Sequence, residues 1–122
     1  MWEVETTTVF DTWFAELPES GREEILAKVE LLKEFGPQLG RPHADTLNGS
    51  KHANMKELRA DADGLVLRIA FAFDPLRCAV LLIGDNKTGV NQKRFYKQLI
   101  KRADVLYQQH TDRINANRKE KE

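Results

Sequence analysis

Between Met55 and Gly84 three β-prone segments are separated by turns too short for a crossover, and this spacing restricts the chain more than any other feature. "MKELRA" meets "LVLRIAFAF" across "DADG", and the second run reaches "AVLLIG" across Asp74-Pro75. A parallel connection needs about a dozen residues or more. The strands, at about 55–60, 65–73 and 77–84, are therefore expected to form an antiparallel meander. In the middle strand Leu65, Leu67, Ile69, Phe71 and Phe73 fall on one face, and Val66, Arg68, Ala70 and Ala72 on the other. An arginine at the centre of so apolar a strand either reaches water along its stem or is held for an anion.

The flanking segments have other periods. "WEVETT" reads as a short first strand. Phe10, Trp13, Phe14 and Leu17 follow at i, i+3, i+4 and i+7, one apolar stripe of a short helix. A second helix opens at "SGRE", where Ser20 and Glu23 have capping-box spacing, and buries Ile25, Val29, Leu32 and Phe35 before Gly36-Pro37 stops it. The two make an αα-hairpin. Residues 36–54, rich in Gly, Pro, His, Asn and Ser, read as a long loop of the kind that is functional or mobile. "NQKRFYKQLIKRADVLYQQH" is helical, with Phe95, Leu99, Ala103 and Leu106 at core spacing and Lys93, Arg94, Lys97 and Lys101 beside them. From Asp112 the tail "DRINANRKEKE" has little to bury and reads as disordered. The expectation is one α+β domain of order βααβββα over residues 1–111, with a tail over 112–122.

No apolar run approaches the twenty or so residues that span a bilayer, and "MWEVETTTVF" lacks a basic region followed by an apolar one; a cytoplasmic protein with no membrane contact is expected. Cys78 is the only cysteine and lies in an apolar run, so an internal disulfide is excluded and a buried structural thiol is expected. His43, His52 and His110 are scattered, without the i, i+4 spacing of a helical metal site, so no metal and no cofactor are expected. "GDNKTG" holds a Lys-Thr pair but not the glycine spacing of a phosphate-cradling loop.

Nineteen basic and nineteen acidic residues cancel, which argues against indiscriminate coating of nucleic acid. The halves differ: residues 1–60 carry a net −4 and residues 61–122 a net +4. The unusual inventory is cationic. Lys56, Arg59, Arg68, Lys87 and Arg94 come from separate elements that the strand order brings toward one side of the sheet.

The element order resembles the RelE/ParE toxin superfamily. "HANMKELR", "LRIAFAFDP", "AVLLIGDNKTG" and "RFYKQLIKRADVLYQQH", taken in series from about Val4 to His110, are similar to its phage-derived, HigB-type branch of toxins from type II toxin-antitoxin systems. The resemblance implies a RelE-like α+β fold, with a twisted antiparallel sheet, a helical hairpin on one face and a concave cationic site on the other. It implies a ribosome-dependent mRNA endoribonuclease, working by metal-independent 2′-OH transesterification and silenced by a cognate helix-turn-helix antitoxin of HigA type. Arg59 and Arg68 then match the basic strand positions of the RNase site and are expected to clamp the scissile phosphate. Lys87 matches the basic residue after the last strand. His52 and Lys56 are further members, and Lys87, Lys56 and His52 are the candidates to move protons, in no fixed rank. Lys93, Arg94, Tyr96 and Lys97 are expected to contact RNA. The same fold also admits a ParE-like gyrase inhibitor or a non-catalytic binding protein.

Overall fold

In the computed structural model, which describes residues 1–121, the central meander is present as β3 (Lys56–Ala62), β4 (Leu65–Phe73) and β5 (Cys78–Asn86). It is preceded by β1 (Glu3–Thr6), α1 (Thr8–Ala15), α2 (Glu19–Phe35) and β2 (Ala44–Thr46), and followed by α3 (Gln92–Lys121). The α+β architecture and its helical hairpin agree with the sequence reading. The sheet, of order β1-β5-β4-β3-β2, differs from it at both edges. β1 pairs parallel with β5, so the sheet is mixed. β2 adds a three-residue edge strand within the expected loop, antiparallel to β3.

The alternation in β4 sorts the core into two layers. Leu67, Ile69 and Phe71 pack with Phe10, Ile25, Leu32, Leu58 and Leu81 beneath the hairpin. Ala70 and Ala72 face the other way and pack with Val80, Leu82, Phe95, Leu99 and Ala103 under α3. Small side chains on that face of β4 let α3 approach closely, so the second face is roofed along part of its length instead of lying open as a concave surface.

A β-bulge decides which groups of β5 share a face with Arg68. β4 pairs Ala70 with Ile83 but Phe71 with Leu81, leaving Leu82 as an extra residue. Leu82 and Ile83 both pack under α3. Beyond them the parity of β5 is reversed, which brings Asp85 opposite Arg68 and turns Gly84 toward the hairpin. There the Trp13 ring lies so near that a Cβ on Gly84 would sit 2.3 Å from it.

Helix ends also differ from expectation. Thr7 caps α1 by accepting from Phe10 N at 3.0 Å. The Ser20–Glu23 capping box does not form: α2 begins at Glu19 after Pro18, so Ser20 already lies inside the first turn, and no side chain caps that end. Phe35, expected in the core, is exposed. The stop at Gly36 is as expected, with φ +56° and Trp2 packed where a side chain would stand. The chain beyond Asp112, expected to be disordered, continues α3 to Lys121. Ile114 is buried, and one helical turn earlier His110 Nε2 lies 2.8 Å from Asp74 Oδ2. No described helix is long and apolar enough to cross a membrane.

Candidate functional site

Period 2 places Glu57, Arg59 and Asp61 of β3 on the face opposite Leu58 and Ala60, and β4 adds Arg68 to it. Arg59 and Arg68 are direct cross-strand partners, and like charges so paired repel. The neighbouring carboxylates relieve the repulsion. Arg68 Nη1 donates to Asp61 Oδ1 at 2.7 Å and to Leu67 O at 2.8 Å, while Arg68 Nε lies 3.4 Å from Glu57 Oε1. Arg68 is 2% exposed and Glu57 5%, so this is a buried ion pair. Burial by itself lowers the guanidinium's affinity for its proton, but the hydrogen bond and charge of Asp61, with a smaller contribution from Tyr96, outweigh that and raise it. Among the described residues Arg68 Nε is the buried polar side-chain atom without a hydrogen bond.

α3 supplies the next layer. Gln92, Tyr96 and Ile100, one row of its surface at i, i+4 spacing, line a cavity of about 380 Å³ together with Glu57, Arg59 and Lys87. Tyr96 Oη donates to Glu57 Oε1 at 2.7 Å. Burial and then this bond to an anion raise the phenol's pKa. Lys87 Nζ stands over the Tyr96 ring, 5.3 Å from its centroid. Burial, then the nearby Arg68 charge, lower the Lys87 pKa. β2 and the residues flanking it close the cavity with Arg41, Thr46 and Asn48. Arg41 is held by Asp45 through Nε and Nη2, at 2.8 and 2.7 Å. Among the described residues neither Arg59 nor Lys87 has a side-chain hydrogen bond or ion-pair partner. The cavity thus presents two uncommitted cations above a buried arginine and a tyrosine.

Three of the five residues expected to carry catalysis come together here: Arg59 and Lys87 in the cavity and Arg68 beneath it. Lys56 does not join them. It shares the parity of Leu58 and pairs with Phe71, so the pleat points it to the hairpin face. His52 packs edge-on against Tyr107, ring centroids 4.7 Å apart, and lines a different cavity with Lys101 and Asp104. Of the residues expected to touch RNA, Tyr96 lines the cavity, Lys93 and Lys97 are exposed next to its row, and Arg94 falls about 160° around the helix from it. Glu57, Arg41, Asn48 and Gln92 were not singled out in the sequence. For Glu57 a signal exists, its place two residues before Arg59 on one strand face. The loop residues carry none.

A second polar group lies at the far end of β4. Glu5, Asp74 and His110 hold ligand-type atoms within 4.8 Å of one another. Asp74 Oδ1 accepts from the amides of Leu76 and Cys78, and Oδ2 faces His110. Both oxygens are thus engaged in tying the β4–β5 turn to α3. Cys78 is buried there, and burial, with Glu5 and Asp74 nearby, pushes its thiol up to about 12. It is the inert structural thiol expected.

The family model described as Phage derived protein Gp49-like matches residues 12–108, a span that includes every strand and helix residue lining the cavity. A Mycobacterium tuberculosis protein named toxin HigB2 is 43% identical over 99 residues, covering 80% of this chain and 49% of that protein. Another from the same organism, named toxin HigB3, is 45% identical over 94 residues, covering 77% of this chain and 80% of that protein. The chain therefore spans about half the length of the first relative and four-fifths of the second.

Proposed function

The chain belongs to the phage-derived Gp49-like family, and from that premise we propose that it is the toxin of a type II toxin-antitoxin pair, an endoribonuclease that cuts messenger RNA on the ribosome. The observation that carries this reading is the pair of uncommitted cations, Arg59 and Lys87, converging from β3 and the end of β5 on a cavity floored by Tyr96. The two relatives named as toxins supply the biological class.

Cleavage by the neighbouring ribose 2′-OH requires in-line geometry, transfer of two protons, and stabilisation of charge on a five-coordinate phosphorus. Arg59 offers a planar fork of donors to the phosphate oxygens, and Lys87 a compact charge. Arg68 acts from below: its guanidinium is buried and engaged by Asp61 and Glu57, so it contributes field and rigidity instead of a direct clamp. Lys93 and Lys97 meet adjacent phosphates from the exposed side of α3. With a net charge of zero and few free cations at the cavity, affinity for naked RNA is weak and steeply dependent on salt. The ribosome then supplies what the protein lacks, by holding the message extended in the cavity. The partner is a helix-turn-helix antitoxin of HigA type, and the site of action is the cytoplasm, where ribosomes are.

Purified protein added to translating ribosomes tests this. A 2′,3′-cyclic phosphate or its hydrolysis product on the upstream fragment and a 5′-OH on the downstream fragment are expected, with growth restored by co-expressing the antitoxin. Intact message together with inhibited DNA supercoiling would replace this reading with the gyrase-directed one.

A further inference from the structure

Among the described residues Glu57 is the only carboxylate lining the cationic cavity. A carboxylate buried so deeply is costly unless its charge is met. Glu57 meets that requirement through one oxygen: Oε1 accepts from Tyr96 Oη at 2.7 Å and faces Arg68 Nε at 3.4 Å. Oε2 has no protein donor among the described residues. Arg68 Nε makes no hydrogen bond of its own, so its hold on Glu57 is electrostatic. One oxygen is anchored and the other is left to the cavity.

We infer that Glu57 takes the proton from the attacking ribose 2′-OH, with Tyr96 and Arg68 as positioning residues that fix its carboxylate; this rests on the endoribonuclease reading of the cavity. In that step the 2′-OH proton passes to Glu57 Oε2, the O2′–P bond forms and the P–O5′ bond breaks. The departing O5′ takes a proton from the Lys87 ammonium, and exchange with water then returns Glu57 to its anion and Lys87 to its cation. Proton acceptor and proton donor must flank the phosphorus on opposite sides. Glu57 at the Tyr96 hydroxyl and Lys87 over its ring give the cavity an acceptor and a donor at two different points of one side chain. The lowered pKa of Lys87 makes its ammonium a readier donor. Neither Lys56 nor His52 reaches this cavity, so the carboxylate fills a role that the cations alone leave open.

The groups facing Glu57 are Arg68 from β4, Tyr96 from α3, Lys87 after β5, Arg41 ahead of β2, and Arg59 and Asp61 on its own strand. The test uses the full chain on translating ribosomes, measuring kcat, KM and the pH–kcat profile for wild type, Glu57→Gln and Glu57→Asp. In Glu57→Gln the amide oxygen still accepts from Tyr96. It is expected to stay folded by circular dichroism, with KM within about threefold, kcat lower by about 10²–10⁴-fold and the acid limb of the profile gone. Glu57→Asp keeps the charge beside Arg68 and withdraws the carboxylate by one methylene, so the acid limb should persist at a reduced kcat. A folded Glu57→Gln with the wild-type acid limb, or Glu57→Asp at wild-type kcat, would overturn the assignment while leaving the endoribonuclease reading intact. Wild type that cuts no message overturns both.

Discussion

Arg68→Met separates a structural arginine from one waiting for a phosphate, because only the structural role predicts a large loss of stability. The substitution preserves much of the apolar stem and removes the charge. Loss of the contact to Asp61 should matter little, since that side chain is 60% exposed and exposed pairs contribute about 0.5 kcal/mol or less. Glu57 is different. At 5% exposure it would be left with a single neutral donor, Tyr96, and stranding one partner of a buried ion pair costs about 3–5 kcal/mol. Packing of the methionine offsets roughly 1 kcal/mol of that. A net loss of about 3 kcal/mol follows, which in a chain of this size lowers Tm by roughly 10 °C. Urea unfolding followed by the fluorescence of Trp2 and Trp13 measures it, with an unchanged m-value as the check on two-state behaviour. Adding Glu57→Gln should recover about half of the loss, since a neutral amide is satisfied by Tyr96 alone. If Arg68→Met unfolds within about 0.5 kcal/mol of wild type and the second substitution adds to it independently, Arg68 is not the counter-ion of Glu57. Its guanidinium is then free for the scissile phosphate.

Arg59→Gln, which removes a cation with no side-chain partner, should leave stability within about 0.5 kcal/mol while lowering cleavage on ribosomes by about 10²–10³-fold; unchanged toxicity in a folded variant would remove Arg59 from the site. Gly84→Ala places a methyl against the Trp13 ring and should cost about 1–3 kcal/mol in urea unfolding, a loss that Trp13→Leu in the same chain should reduce. The Cys78 thiol titrates at 9.0 when free and about 12 in the fold, so the unfolded chain gives up its proton first and stability falls as pH rises across that window. The slope is about 1.4 kcal/mol per pH unit, and Cys78→Ala should show a flatter alkaline limb; identical limbs would refute the burial argument. His110→Ala cuts the link to Asp74 and should speed hydrogen exchange in α3 beyond residue 107 while leaving β4 protected; uniform exchange along both would show that this pair anchors nothing.

The meander was legible because its turns are too short for any other topology, and the two faces of β4 because alternation depends on no distant contact. The burial of Arg68 was not. α3 packs over Ala70 and Ala72 on the same face of β4 and brings Tyr96 beside Arg68, a long-range event that local sequence registers only as two small residues. The bulge at Leu82 is equally silent in "AVLLIG", although it determines that Asp85 and not Gly84 shares a face with the arginines. Lys56 shows the reverse case: the alternation that places Glu57 and Arg59 on one face puts Lys56 on the other, with Leu58, and a family motif read as one block hides this. Arg41 and Asn48 reach the cavity through three residues of β2, too few to stand out within a polar loop.

Four cations, Arg41, Arg59, Arg68 and Lys87, surround this cavity against three nearby carboxylates, Asp45, which holds Arg41, and Glu57 and Asp61, which hold Arg68. The surplus positive charge falls on Arg59 and Lys87, which lack partners of their own, and its effect is visible in Lys87, whose proton is held less tightly partly because Arg68 and Arg59 stand near. Arg68 lets the site keep that surplus without unfolding, since its own charge is neutralised internally by Glu57 and Asp61. An anion entering the cavity therefore meets unspent charge on preorganised donors and requires no existing ion pair to break. Under the proposed function, the same condition favours a phosphate of the message and an acidic side chain from an antitoxin. Occupation by either should raise the Lys87 pKa toward its ordinary value and stabilise the fold in proportion to ligand concentration. Thermal shift with a short non-cleavable oligonucleotide carrying a 2′-deoxy substitution at the cleavage position should then rise with concentration at low salt and vanish in Arg59→Gln. A shift of equal size in that variant would mean that the cavity is not where the anion binds.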